Sequence, residues 1–253
     1  MKDIEIRGIM IGSGIPKICV PVTGSKKEEI TLEMKAIAGS SCDLIEWRVD
    51  FFKNCKDLKR INEIMEYIRS FTEKPVIATF RSSFEGGMTE VSLNEYIEIC
   101  KALCNSLYID LIDIEFMTAG NRISEVLDYA KERNIKTIVS HHNFKKTPSE
   151  EEMGEILENM KNTGADIEKI AVMPSDRKDV LAVMNVSEKI SEMEDSIPVI
   201  SISMSNTGTP SRVCAELSGS AITFATVSNS SAPGQIDCES LRNILEMLYC
   251  GER

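Results

Sequence analysis

Eight short apolar runs recur along this chain about every 23 to 33 residues, and that rhythm limits what it can fold into. They lie at residues 17–22, 43–49, 75–81, 108–115, 136–142, 167–173, 198–204 and 220–227. Between them run segments with helical period, for example 28–39, 58–70, 93–105 and 123–133. Strands that alternate with helices predict parallel β/α units. Eight such units suit an α/β fold of the closed (β/α)8 TIM-barrel type better than an open doubly wound sheet. A dinucleotide-binding alternative is weakened because no G-x-G-x-x-G follows the first run. Ahead of the runs, Ile4, Ile6, Ile9 and Ile11 flank Gly8, which predicts an N-terminal β-hairpin arm over residues 1–16 closing one end of the barrel. With no linker-like stretch, residues 1–253 read as a single domain. Thr147-Pro-Ser-Glu150 reads as a helix start with proline at the first helical position, and Asn162-Thr-Gly164 as a stop.

Composition removes several classes of function. A net charge of −11 argues against nucleic acid or an anionic membrane as partner. No apolar stretch approaches the roughly 20 residues that cross a bilayer, and the N-terminus lacks a signal-like apolar core, so a cytoplasmic location is the default. The eight cysteines form no C-x-x-C pair and read as free thiols. Two histidines, adjacent in sequence, make a His-rich metal site a poor fit.

Those two histidines, His141 and His142, end the fifth run, and a lone Lys169 sits inside the sixth. In a parallel barrel alternate residues point inward, and active sites lie at the carboxyl ends of the strands. Setting the apolar face of each run against the helices turns Glu46, Arg48, Ser140, His142 and Lys169 inward, and Arg81 ends the third run. Each group alone has a structural reading: an interior Glu46–Arg48 pair, a satisfied His142, a Lys169 that snorkels to its strand end. Jointly, in this order and parity, they point to a polar active site. His141 has the opposite parity and reads as structural, facing the helix layer. A buried lysine beside a histidine proton shuttle is what carbonyl chemistry through a Schiff base needs.

The stretches Glu46-Trp-Arg-Val-Asp50, Phe80-Arg-Ser-Ser-Phe-Glu-Gly-Gly87, Val139-Ser-His-His-Asn-Phe144 and Ala165-Asp-Ile-Glu-Lys-Ile-Ala-Val-Met-Pro174 resemble the type I 3-dehydroquinate dehydratase family of the shikimate pathway. Ser211-Arg212 and Ser230-Ser-Ala-Pro-Gly-Gln235 extend the likeness over nearly the whole chain. The resemblance implies a (β/α)8 barrel, a homodimer, no cofactor, no metal, and 3-dehydroquinate as substrate. It further implies that Lys169 forms an imine with the substrate ketone and that His142, oriented by Glu85, acts as general base and then acid. Arg212 would clamp the substrate carboxylate. Glu46, Arg48 and Arg81 would bind ring hydroxyls, with Ser231 and Gln235 closing from the last loop and Met204 forming an apolar wall. Burial and nearby arginines would help to neutralise Lys169 for attack. Residues 224–235 read as a mobile lid. Asn143 departs from the aspartate common in the family and is a place where the environment of His142 would differ. The rival readings are a class I aldolase, which also bears a Schiff-base lysine, and a catalytically silent barrel.

Overall fold

The structure, a computed structural model, describes residues 2–227 and 234–251. It opens with an antiparallel hairpin of β1 (Ile4–Ile6) and β2 (Ile9–Ile11). The two turn residues, Arg7 at φ 49 and Gly8 at φ 78, both adopt the left-handed backbone that a two-residue primed turn requires.

Eight parallel strands follow: β3 (Lys17–Val22), β4 (Leu44–Arg48), β5 (Val76–Thr79), β6 (Leu111–Glu115), β7 (Lys136–Asn143), β8 (Ile167–Val172), β9 (Val199–Ser203) and β10 (Ile222–Thr226). A two-residue strand, β11 (Ile236–Asp237), pairs in parallel with the end of β10. Continuous ladders join β10 to β3 and then each strand to the next as far as β9. Between β9 and β10 the ring closes through a bridge at Val199 and Ser220, where Ala221 N–H donates to the Val199 carbonyl at 2.8 Å. Two β9 amides at this seam are satisfied by side chains: Ser201 N–H donates to Ser220 Oγ at 3.1 Å and Ser203 N–H to Ser211 Oγ at 3.0 Å.

The helices are α1 (Lys27–Ala38), α2 (Leu58–Arg69), α3 (Leu93–Cys104), the single turn α4 (Phe116–Ala119), α5 (Ile123–Lys131), α6 (Glu150–Asn162), α7 (Arg177–Ser191), α8 (Thr209–Val213) and α9 (Cys238–Leu248). Local chemistry sets their starts. Asp57 accepts from the Lys59 and Arg60 amides at the head of α2, and Ser92 with Glu95 forms a capping box on α3. The start of α6 differs from the expected one. Ser149 is the cap, boxed with Glu152, and Pro148 lies before it rather than at the first helical position. The Ser149 hydroxyl accepts from the third amide of the helix, while the hydroxyl of Thr147, the expected cap, donates to the Met173 carbonyl at 3.0 Å instead. The expected stop is observed, with Gly164 at φ 88 just past the helix end.

Two apolar cores result. The outer one, between strands and helices, contains Ile45, Trp47, Val49, Val139, Ile170 and Val172. The inner one packs the hairpin's Ile4, Ile6 and Ile11 against Leu44, Ile77, Leu111, Ile138, Ile167, Ile200 and Ile222, which face the barrel axis near the strand starts. The arm therefore closes the amino end of the barrel, as its sequence predicts.

One outer-layer residue breaks the pattern. Glu168, on the helix side of β8, is 1% exposed, and neither carboxylate oxygen has a hydrogen-bond partner among the described residues. Burial pushes its pKa up from 4.5 to about 8, against an opposing pull from Lys161. The folded chain holds this proton while the unfolded chain releases it near its ordinary pKa. Stability from neutral Glu168 is therefore complete below that value and lost progressively up to about pH 8, roughly 3–5 kcal/mol in all. Glu168→Gln keeps the shape and removes the titration. Its melting temperature is expected to stay level between pH 5 and 8 while that of the parent falls; parallel curves would refute this.

Candidate active site

Along each inward-facing row the chemistry changes with height. Leu44, Ile77, Leu111, Ile138 and Ile167 at the bottom give way to Glu46, Thr79, Asp113, Ser140 and Lys169, and then to Arg48, Arg81, Glu115 and His142. The apolar lower rows exclude water beneath, so the polar groups above sit in a medium where charge interactions are strong. On β9 and β10 the rows stay apolar, through Ile200, Ile202 and Met204 and through Ile222 and Phe224.

The polar side forms one network. Lys169, 4% exposed, donates from Nζ to Asp113 Oδ2 at 2.9 Å and lies 3.6 Å from Glu46 Oε1. Its ammonium also stands 4.6 Å from the centre of the Phe224 ring. The charges Lys169 meets first are thus carboxylates, not the arginines expected beside it. Arg81 takes that role for itself, donating from Nη2 to Asp113 at 2.9 Å and from Nη1 to Glu115 at 3.1 Å and Ser140 Oγ at 3.0 Å. Burial opposes the Arg81 charge, but Asp113, Glu115 and Glu85 outweigh it and raise its pKa. Burial likewise opposes the Asp113 carboxylate, and Arg81 and Lys169 overcome it, holding its pKa below the ordinary range. Arg48 is gripped by Asp50 in a two-pronged pair, both contacts at 2.9 Å.

Glu85 reaches the site from the single 3-10 turn of Ser83–Glu85. Its Oε2 accepts from the His142 backbone N–H at 3.0 Å and faces His142 Nδ1 at 3.2 Å. Burial, followed by Arg81, Lys169 and Arg48, pushes the His142 pKa well down, so its imidazole is neutral near pH 7 and able to accept a proton. The turn leaves Gly86 in the left-handed region at φ 84, and a Cβ there would stand 2.2 Å from the Phe144 ring, so only glycine fits. Arg212, at the end of α8, is buried, with Nη1 3.5 Å from the Phe224 carbonyl. Burial lowers its pKa to about 10, which leaves it cationic at neutral pH.

These groups open onto one cavity of about 660 Å³, including its solvent-filled mouth. Glu46, Arg48, Arg81, Glu85, His142, Lys169, Met204, Arg212 and Gln235 all line it. Ser231, the remaining expected contact, and residues 228–233 of the expected lid lie outside the described residues. Asn143, the departure expected beside His142, accepts at its Oδ1 from the Lys145 and Lys146 amides and shapes the turn after β7. Two residues escaped the sequence reading, Asp113 and Glu115. The alternation rule, applied to residues 108–115, puts both on the inward face with Leu111, so the signal was present. Phe51, Phe144 and Phe224 complete the walls and carried no such signal.

A closed ring of parallel strands with ionisable side chains gathered at its carboxyl ends defines a barrel enzyme. The comparisons narrow the class. A family model described as type I 3-dehydroquinase matches residues 18–252. The chain is 40% identical over 249 residues to the 3-dehydroquinate dehydratase of Clostridioides difficile, covering 98% of each. It also superposes on a crystal structure of type I 3-dehydroquinate dehydratase from Clostridium difficile with covalently modified comenic acid, at a TM-score of 0.94, 40% identity and 98% coverage of both chains. The 3-dehydroquinate dehydratase of Geobacillus kaustophilus matches at a TM-score of 0.95 and 36% identity, over 100% of this chain and 98% of that one. This chain belongs to the type I 3-dehydroquinase family.

Proposed function

We propose that this chain dehydrates 3-dehydroquinate to 3-dehydroshikimate, a step of the shikimate pathway, through an imine on Lys169. The observation that carries the reading is a buried lysine and a neutral, carboxylate-held histidine opening onto one barrel cavity. Lys169 gives one proton to the neutral His142 and its Nζ attacks the ketone carbon; His142 returns that proton to the carbinolamine hydroxyl, which leaves as water and gives the iminium. That cation draws electrons from the neighbouring C–H bond far better than the ketone would. His142 removes the proton on the carbon between the iminium and the carbinol, and an enamine forms. The enamine electrons then expel the hydroxyl, which leaves as water with the proton that His142 returns. Hydrolysis of the imine frees the product and restores the amine. No cofactor or metal enters these steps, because the iminium is the electron sink.

Arg212 supplies a fork for the substrate carboxylate. Glu46, Arg48 and Arg81 supply polar contacts for ring hydroxyls, and Met204 and Phe224 the apolar wall beside the imine. Ser231 and Gln235 belong to the same reading as closing contacts. So do a homodimeric state and a cytoplasmic location, which family membership supports; sedimentation at micromolar concentration tests the dimer. Among the described residues no helix is long and apolar enough to cross a membrane.

Incubation with 3-dehydroquinate and sodium borohydride tests the mechanism. A stable adduct mapped to Lys169, with loss of activity, is expected. Dehydration without an adduct would reject the role of the lysine, and neither dehydration nor an adduct would favour the aldolase or silent-barrel readings.

A further inference from the structure

His141 is the second histidine of this chain, and by strand parity it belongs to the helix layer. Yet its side chain is only 13% exposed, and its Nδ1 lies 3.7 Å from Glu85 Oε1. Those two atoms are both buried, and neither has a hydrogen-bond partner among the described residues. Two orphaned polar atoms that face each other make a matched donor and acceptor, since leaving either unmet in the interior is costly. A shift of a few tenths of an ångström closes the contact to a hydrogen bond. The other oxygen of the same carboxylate already holds the His142 backbone N–H and Nδ1. Glu85 therefore stands between two imidazoles.

The groups facing Glu85 decide what that bridge does. Arg81 Nη1, from the end of β5, is 3.6 Å from Oε2, and Glu115, from β6, opposes the negative charge. His141 and His142 face it from β7. Arg48 and Lys169 act on the His142 ring. Burial raises the Glu85 pKa, with contact to His141 the next largest influence and in the opposite direction. A Glu85 that took up a proton would no longer impose one tautomer on His142, because a carboxyl group can donate as well as accept.

We propose that His141 is a positioning residue: its Nδ1–H holds Glu85 Oε1, and the carboxylate so fixed keeps His142 protonated at Nδ1 with Nε2 free toward the cavity. The proposal rests on the reading of His142 as the proton shuttle of the dehydration. It reassigns a residue that parity alone gives to the scaffold.

The two imidazoles are the only ones in the chain, so long-range 1H–15N correlation spectra resolve both without selective labelling. In the parent protein His142 is expected as a single Nδ1–H tautomer from pH 6 to 9. In His141→Val it becomes a mixture, kcat falls on the order of tenfold with KM within about twofold, and the acid limb of the pH profile moves up by about one unit. His141→Asn places an amide N–H near the position of Nδ1–H and restores the tautomer and most of the rate. If His141→Val fails to fold, the comparison of His141→Asn with His141→Asp decides: the donor keeps the tautomer and the added carboxylate loses it. A single unchanged tautomer and an unmoved acid limb in the variants, with only thermal stability lowered, would overturn the proposal. If the parent does not dehydrate 3-dehydroquinate, the functional reading falls, and the spectra still decide what His141 does to His142.

Discussion

Lys169→Met lowers kcat for dehydration of 3-dehydroquinate by about 10⁴- to 10⁶-fold, the scale on which removal of a covalent nucleophile acts. Methionine matches lysine as far as Cε and fills most of the same channel among Asp113, Glu46 and Phe224. It offers no amine, so no iminium forms and the α-proton keeps the weak acidity of a simple ketone. KM changes far less, because the groups that would bind the carboxylate and hydroxyls remain on other strands. Steady-state kinetics beside a thermal melt make the check. A folded variant that keeps more than about one-hundredth of the parent kcat would mean that Lys169 merely balances the carboxylates around it.

The second large effect falls on stability. Asp113 accepts from Arg81, Ser140 and Lys169 at once, each contact between 2.6 and 2.9 Å. Asp113→Ala leaves an ammonium and a guanidinium buried with less counter-charge between them. Breaking a buried pair from one side costs about 3–5 kcal/mol. For a chain of this size that lowers the melting temperature by roughly 6–20 °C. Activity falls as well, since the lysine loses its hydrogen-bond anchor. A melting temperature within about 2 °C of the parent would show that Glu46 and Glu115 hold the network without Asp113. Asp113→Asn, which preserves shape and removes the charge, should lie between the two.

Much of this was written in the order of residues. The eight apolar runs marked the eight strands because a strand covered on both faces must be apolar at nearly every position. Parity then assigned Ile45, Trp47 and Val49 to the helices and Glu46 and Arg48 to the interior, as the outer core and the cavity lining confirm. The same rule held for Ser140 against Val139 and for Lys169 against Ile170. Where reading along the strand failed, the cause was a contact made across it. Arg48 and Arg81 were legible as interior cations, but not their partners, since Asp50 sits past the end of β4 and Asp113 on the next strand but one from β4. His141 has outward parity, yet a 3-10 turn 57 residues from His142 brings Glu85 against both rings. The cap of α6 was misplaced by two residues because Thr147 and Ser149 both offer a capping hydroxyl, and the contact that draws Thr147 away, to the Met173 carbonyl, comes from another strand end.

The seam between β9 and β10 is the one joint in the ring of eight strands, among the described residues, without a continuous ladder. From β10 through β3 and round to β9, neighbouring strands are stitched by main-chain ladders, and charges inside that ring are cross-linked by Arg81 and Asp113. At the seam one main-chain bond, from Ala221 to Val199, is joined by the hydroxyls of Ser211 and Ser220 in place of a ladder. Met204, Arg212 and Phe224 stand on the side of the cavity next to that joint. The barrel is thus a hoop with one clasp, and the clasp is where amide exchange is expected to be fastest among its strands.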